Sequence, residues 1–103
     1  MSFKFLIISF FLFSPSLIFA QHYKTTTDVA YCKPNEPDSY KKERCKLDIY
    51  IPTDRKNFAT IVWFHGGGLE EGNKFIPLEL KEKGVAVIAV NYRLSPKAKA
   101  PEY

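Results

Sequence analysis

The sequence predicts an α/β fold, because two apolar runs with the composition of buried strands flank a segment of helical character. The first run occupies residues 59–64, and the second extends from Val85 to Val90 without polar alternation. Continuous apolar runs of this kind are typical of strands buried on both faces of a parallel sheet. Strand, helix and strand therefore form one βαβ unit from Ala59 to Tyr92, which implies a crossover and parallel strands.

The first 20 residues have the pattern of a cleavable secretory signal peptide. Lys4 supplies the positive charge, and an apolar stretch interrupted by Pro15 runs from Phe5 to Ala20. This stretch is shorter than the roughly 20 residues that a spanning helix requires, which disfavours a retained membrane anchor. We predict cleavage after Ala20, a secreted or periplasmic location with no stable membrane anchor, and a single domain that begins at Gln21.

Charge and motif content exclude several classes of partner. The chain of 103 residues has 15 basic and 11 acidic side chains, a net charge of +4. The basic residues are scattered rather than gathered into a stripe, so no nucleic-acid partner is expected. Neither G-x-G-x-x-G nor G-x-x-x-x-G-K-[ST] occurs, and no cofactor is predicted.

Cys32 and Cys45 are the two cysteines of the chain, and they enclose a polar loop with two prolines. An even cysteine count in an exported protein favours a disulfide. Such a bridge would contribute on the order of 3 kcal/mol by restricting the unfolded chain. With His22 as the nearest histidine, the cysteines lack the spacing of a tetrahedral metal site, so a disulfide is predicted and a metal is not.

Two further strands follow from local periodicity. Residues 23–31 are compatible with an edge strand. Residues 45–52 alternate, and Leu47, Ile49 and Ile51 are predicted to face the core while the residues between them face solvent.

The segment between the two apolar runs predicts a helix from about Lys74 to Lys83. Apolar residues recur there at helical spacing, and Asn73 is a suitable N-cap. Pro77 lies near the first turn, where a missing N–H costs little, and Gly84 suits the position just after a helix.

A histidine and three glycines, His65-Gly66-Gly67-Gly68, follow the first apolar run directly. Glycines accept positive φ and let another group approach their N–H groups closely. Exposed N–H groups after a strand form a small anion-binding cradle. Ligands of open α/β sheets bind at the carboxyl ends of the strands, where this tetrapeptide and Asn91–Pro96 are both predicted to lie.

Four segments in this order resemble the α/β-hydrolase family of esterases and lipases. They are Leu47–Pro52, His65–Gly68, Gly72–Lys74 and Val90–Pro96, and the resemblance covers residues 45–103. It implies an α/β-hydrolase fold, a three-layer sandwich when complete. Residues 21–103 would hold its N-terminal part, namely the early strands and one βαβ crossover.

The resemblance also implies hydrolysis of carboxylic esters by a serine nucleophile through an acyl-enzyme. The N–H groups of Gly66 and Gly67 would then form the oxyanion hole, while Gly68 permits the turn and His65 braces the loop. Leu69 stands where an aromatic residue is common in the family. The substrate would be a small-molecule or polysaccharide-linked ester, and acetylated sugars, feruloyl esters, short acyl esters and formamides remain open.

The nucleophile elbow G-x-S-x-G is absent from the 103 residues. Ser39 and Ser95 are the serines that follow the predicted signal peptide, and His22 and His65 are the histidines. In the family the nucleophile, acid and base all follow the oxyanion loop. We therefore expect an N-terminal fragment that does not hydrolyse esters alone, and whose strand at residues 59–64 leaves an apolar edge.

A second hypothesis comes from a different class. A small secreted binding module could use the glycine tetrapeptide as an anion or glycan pocket. A fragment or partial sequence of a secreted serine esterase is favoured, because a pocket alone has no need of the family-like segment Val90–Pro96.

Overall fold

The computed structural model describes residues 22–103, so the predicted signal peptide and its cleavage site lie outside the described residues. The elements in chain order are β1 (Tyr23–Ala30), α1 (Ser39–Arg44), β2 (Lys46–Pro52), β3 (Thr60–Phe64), a 3-10 helix (Leu78–Leu80) and β4 (Ala86–Val90). Within residues 22–103, no helix combines the length and apolar character needed to cross a bilayer.

The four strands form one mixed sheet in the order β1-β2-β4-β3. β2 is antiparallel to both of its neighbours, β1 and β4. β3 and β4 run parallel, with Thr60 opposite Ala86 and Phe64 opposite Val90. The parallel pair and the edge position of β1 are thus confirmed.

β4 is the centre of the core. Val87 and Ala89 have no exposed surface, and Ala86 and Val90 are also buried. The strand lies between β2 and β3. Successive side chains point to opposite faces of the sheet, and buried residues occur on both faces. Burial on both faces, predicted from the unbroken apolar run, is confirmed.

β3 is less buried than its sequence predicts. Its side chains alternate between exposed and half-buried, and Val62 and Phe64 are 51% and 60% exposed. β3 is the last strand of the sheet formed by residues 22–103, so it has one neighbour and no covering layer on that side. The expected apolar edge is therefore present, whereas the predicted burial of β3 on both faces is wrong for the described chain.

β2 buries a different residue from those predicted. Its three aliphatic side chains are only half-buried, whereas Tyr50 is buried and stacks on Tyr23 with ring centroids 4.8 Å apart. The Tyr50 hydroxyl accepts a hydrogen bond of 3.1 Å from the Glu82 N–H. A tyrosine buries a large ring while its hydroxyl keeps a partner, so counting Tyr50 as polar assigned it to the wrong face.

The predicted helix from Lys74 to Lys83 is wrong, since only the 3-10 turn Leu78–Leu80 forms there. Pro77 is extended, with φ −58° and ψ 132°. Its ring also disfavours helical backbone at the preceding residue, so a helix cannot pass through this point from the N-terminal side. The crossover between β3 and β4 is therefore mostly irregular.

The predicted N-cap of that helix has a different role. Asn73 Oδ1 accepts a hydrogen bond of 2.8 Å from Arg44 Nη1. The next N–H, that of Lys74, donates to Asn91 Oδ1 at 2.6 Å. Long-range partners thus hold the polar groups that would otherwise start a helix.

A short helix, α1, lies in the segment predicted to be an irregular loop. Asp38 is its N-cap, and one carboxylate oxygen accepts from the N–H groups of Tyr40 and Lys41 at 2.9 and 3.1 Å. An aspartate before several helix-forming residues is a recognisable start signal. The helix matters because its last residue, Arg44, is buried.

The structure does not show the predicted Cys32–Cys45 disulfide, and both cysteines are free in it. The Tyr31 N–H donates to the Cys45 carbonyl at 3.0 Å, so these two residues lie opposite each other. Successive side chains of an extended chain point to opposite sides. Cys32 accordingly lines a surface cavity with Ala30 and Lys46, whereas Cys45 is buried.

One lysine joins β1, β2 and the irregular crossover. Lys74 Nζ lies 2.8 Å from a carboxylate oxygen of Asp28 and 2.8 Å from one of Asp48. The Asp28 N–H donates to Asp48 at 2.9 Å, at the point where the β1–β2 register shifts. The hydrogen bond from Lys74 holds the pKa of Asp28 below its ordinary value.

The free thiols predict a graded reaction with an alkylating reagent. Cys32 should react in the folded protein, whereas buried Cys45 should react only after unfolding, as followed by mass spectrometry without reductant. A Cys32→Ser variant is the control, because it should show no reaction until it is unfolded. A non-reduced protein that lacks both reactive thiols, with a mass lower by the two lost hydrogens, would contradict this expectation.

The Lys74 ion pairs predict an acid-sensitive component of stability. Because the pKa of Asp28 is lowered on folding, its contribution is complete above the unfolded-state value of about 3.9 and is lost as pH falls through the folded-state value. Lys74→Met should therefore show a smaller loss of unfolding free energy between about pH 5 and about pH 2, measured by urea unfolding. Lys56→Met, in an exposed turn, is the control. Equal acid slopes for Lys74→Met and the unaltered protein would refute the assignment.

Candidate functional site

The residues that follow β3 and β4 lie close together, because these two parallel strands terminate at the same end of the sheet. We call residues 65–72, which leave the end of β3, the glycine loop. The rings of His65 and Tyr92 stack with centroids 4.5 Å apart and planes 12° apart. The Tyr92 hydroxyl also donates a hydrogen bond of 2.6 Å to the His65 carbonyl oxygen. The start of the glycine loop is thereby fixed to the end of β4.

The His65 side chain is buried, with 4% of its surface exposed. Its Nδ1 lies 2.7 Å from the Gly66 carbonyl oxygen. Because a carbonyl oxygen only accepts, Nδ1 must carry the proton. Nε2 is buried and has no partner among residues 22–103. The His65 side chain is therefore held inside the glycine loop through the carbonyl group of the residue that follows it.

Two glycines are required by close approach within the glycine loop. Gly67 has φ 129°, and a Cβ there would overlap the Glu71 carbonyl oxygen. Gly72 has φ 109°, and a Cβ there would lie 2.5 Å from His65 Nδ1 and 2.6 Å from the Gly66 carbonyl oxygen. The loop thus folds back so that its last residue packs against the ring of its first.

The N–H groups of Gly66 and Gly67 donate no hydrogen bond within residues 22–103, and both residues are exposed. The carbonyl oxygen of Gly67 accepts instead from the N–H groups of Glu70 and Glu71, at 3.2 and 3.3 Å. Gly68 continues the turn with φ 64°. Two unpaired N–H groups on a braced turn can stabilise a negative charge without reorganising.

An apolar cavity adjoins the glycine loop. It has a volume of about 350 Å³ and is lined by Phe64, His65, Leu69, Tyr92 and Tyr103. The side chains of Phe64 and Leu69 remain partly exposed at its rim. The site therefore combines polar backbone donors with a neighbouring apolar surface, as ligand sites commonly do.

No serine of residues 22–103 is placed as a nucleophile. Ser39 begins α1, and the Ser95 N–H donates to the Leu69 carbonyl oxygen at 2.7 Å. His22 is a surface residue 3.6 Å from Asp54. The described residues thus bring the predicted loop residues together but form no serine–histidine pair.

Arg44 is the residue that sequence reasoning missed. It was counted among scattered surface charges, but it is buried and contacts both Tyr92 and Gly72. Its partners are far away in the sequence, so no local spacing signals the contact.

We predict that two glycine-to-alanine substitutions in the glycine loop differ in their effect on the free energy of unfolding. Gly66→Ala meets no atom within 4 Å and should change the unfolding free energy by less than about 0.5 kcal/mol. Gly72→Ala combines a positive φ with a clash against His65 and should cost about 1–3 kcal/mol or more. Urea unfolding of the two variants is the measurement. Equal stabilities for the two would contradict the packing of Gly72 on His65.

Similar proteins include two fish enzymes. Kynurenine formamidase from Salmo salar is 37% identical to this chain over 57 residues, and kynurenine formamidase from Danio rerio is 35% identical over 57 residues. The alignments cover 50% of this chain but only 19% and 20% of the relatives. The chain therefore spans about a fifth of the length of these formamidases.

Similar solved structures are esterases. Inhibited esterase B from Lactobacillus rhamnosis matches with a TM-score of 0.56 and 24% identity, over 77% of this chain and 26% of that chain. A truncated carbohydrate esterase from gut microbiota matches with a TM-score of 0.57 and 29% identity, over 77% of this chain and 28% of that chain. The predicted fold class, the early part of an α/β-hydrolase, is confirmed.

The family model BD-FAE matches residues 47–103, which is more than half of the chain. The matched range begins in β2 and includes the glycine loop, β4 and the segment that contains Tyr92. The chain therefore belongs to the BD-FAE family, an esterase-type family of the α/β-hydrolase fold.

Proposed function

We propose that the glycine loop is the oxyanion-stabilising part of the active site of an exported carboxylic ester hydrolase. The observation that carries the proposal is that the N–H groups of Gly66 and Gly67, two exposed residues, donate no hydrogen bond within residues 22–103. They lie at the carboxyl end of a parallel strand, where α/β folds bind their ligands. Family membership supports the reaction class, and the predicted signal peptide supports export.

Ester hydrolysis through an acyl-enzyme places negative charge on the former carbonyl oxygen of the substrate. Backbone donors that are already in position stabilise this charge, and losing one such donor typically costs about 2.7–4 kcal/mol of transition-state stabilisation. Gly66 and Gly67 are the proposed donors. Gly68 extends the turn, and His65 holds the loop through its ring and its carbonyl.

His65 is not the proposed base. Its Nδ1–H donates a hydrogen bond to the Gly66 carbonyl oxygen. Nε2 is buried and has no hydrogen-bond partner, serine included, among the described residues. We propose that the nucleophile, its base and the acid come from residues that are not among these 103. They would approach the glycine loop beside β3, where Val62 and Phe64 are exposed.

The proposed substrates are esters with a modest apolar acyl part. The cavity of about 350 Å³ that His65 and Leu69 of the glycine loop help to line has mainly aromatic and aliphatic walls, which favours an apolar group over a charged one. The names of the similar proteins, a carbohydrate esterase, an esterase and formamidases, are compatible with an acyl group transferred from oxygen or nitrogen.

We predict that the 103-residue chain alone hydrolyses p-nitrophenyl acetate no faster than buffer. The chemical reason is that neither Ser39 nor Ser95 has a histidine within hydrogen-bonding distance among the described residues. A fluorescent phosphonate that labels active serines should leave the chain unlabelled, with a known serine esterase as positive control. Turnover that the phosphonate abolishes would show that a nucleophile is present.

The reading frame after the codon for Tyr103 distinguishes the ester-hydrolase hypothesis from the binding-module hypothesis. An open reading frame that continues past the codon for Tyr103 and reaches G-x-S-x-G should give a product that hydrolyses short p-nitrophenyl esters and is labelled by the phosphonate. A stop at that codon, with a soluble product that melts cooperatively and binds an anion or a glycan, would refute the hydrolase and support the module.

A further inference from the structure

Arg44 occupies a position behind the glycine loop that is unusual for a charged residue. It is 8% exposed, and all of its hydrogen bonds go to neutral acceptors. Nε donates to the Tyr92 carbonyl oxygen at 3.0 Å, and Nη2 donates to the Gly72 carbonyl oxygen at 2.9 Å. Nη1 donates to Asn73 Oδ1 at 2.8 Å. No carboxylate within residues 22–103 forms an ion pair with it.

Burying a guanidinium without a carboxylate partner is energetically unfavourable, because the charge loses its hydration. Desolvation of a charge is offset only where its hydrogen-bonding groups find acceptors of good geometry. Arginine can meet this condition because its planar fork directs several donors at once, which a lysine ammonium cannot reproduce. The arrangement is explained if the fork fixes two segments, residues 72–73 and Tyr92, relative to each other.

The first path from Arg44 to the proposed donors passes through Gly72. Nη2 holds the Gly72 carbonyl, and the Gly72 Cα packs so closely on His65 that a Cβ would lie 2.5 Å from Nδ1. That same Nδ1 donates to the Gly66 carbonyl at 2.7 Å. Arg44 therefore fixes Gly72, the last residue of the glycine loop, next to the His65 ring, and that ring in turn bonds the Gly66 carbonyl.

The second path passes through Tyr92. Nε holds the Tyr92 carbonyl, while the ring of Tyr92 stacks on His65 and its hydroxyl donates to the His65 carbonyl at 2.6 Å. The two paths use different atoms of Arg44 and converge on His65. A displacement of the guanidinium would consequently release His65 from both.

We propose that Arg44 is the positioning residue of the oxyanion loop, acting through Gly72 and Tyr92 on His65 and so on the N–H groups of Gly66 and Gly67. The proposal rests on the proposed function for its catalytic meaning. Its structural content, that Arg44 keeps these two N–H groups rigid, stands independently and is tested without turnover.

The test measures backbone order parameters by ¹⁵N relaxation in the 103-residue chain. Gly66 and Gly67 should be rigid in the unaltered chain, with values near about 0.85, and should fall below about 0.6 in Arg44→Lys. Arg55→Lys is the matched control, because Arg55 is exposed and pairs only with neighbouring Asp54 among the described residues. Its substitution should leave both glycines rigid.

A second variant decides the matter if Arg44→Lys does not fold. Asn73→Ala removes one of the three acceptors of the guanidinium at an exposed position, so the fold should persist. The order parameters of Gly66 and Gly67 in this variant should fall below those of the unaltered chain and of Arg55→Lys. Unchanged order parameters in every variant that folds would overturn the proposal.

A kinetic arm separates this proposal from the proposed function. In a longer gene product that hydrolyses esters, Arg44→Lys should lower kcat about 10²-fold through misplaced donors, with KM nearly unchanged. If the glycines become mobile in Arg44→Lys but the longer gene product has no esterase activity even without the substitution, the function is refuted and the positioning role stands. Mobile glycines with an unaltered kcat would refute the catalytic role of Arg44 and leave the function intact.

Discussion

The parallel pairing of β3 and β4 is the constraint on which the glycine loop depends. Because Phe64 lies opposite Val90, both strands end at the same edge of the sheet. The residues that follow can therefore meet, and Tyr92 stacks on His65 and bonds its carbonyl. In an antiparallel pair the two carboxyl ends would lie at opposite edges of the sheet, and these side chains would be separated by the length of the strands.

Directional contacts, rather than apolar burial, hold the glycine loop. Phe64, the last residue before it, is 60% exposed, so the apolar core adds little at this point. A buried hydrogen bond contributes about 0.5–1.5 kcal/mol, and one to a charged group about 1.5–3 kcal/mol. A surface ion pair such as Lys41 with Glu36 contributes little, because water and salt screen the two charges. The bonds of His65, Tyr92 and Arg44 are accordingly the ones that determine the shape of the loop.

Local sequence was informative wherever a residue's conformation follows from its own neighbours. The unbroken apolar run of β4 predicted a strand covered on both faces, and it is one. The same argument failed for β3, because burial depends on what lies beside a strand and not on its composition. Asp38 is a helix N-cap, but the short helix α1 lies inside a polar segment and lacks apolar periodicity, so the pattern around it predicts a loop. Pro77 carried the opposite signal, and the extended backbone it imposes outweighed the helical spacing around it.

The sequence by itself determined the order of the strands along the chain, the parallel pair and the identity of the glycine loop. These follow from short-range patterns, and the family-like segments reinforce them. Only the tertiary structure decided that Arg44 lies buried behind that loop, that Asn73 accepts from it and that Cys45 is buried while Cys32 lines a surface cavity. Each of these depends on which distant segments a side chain meets. The type of a residue restricts its long-range contacts only weakly, because many acceptors can satisfy one donor. The packing of the whole sheet determines which acceptor lies within reach.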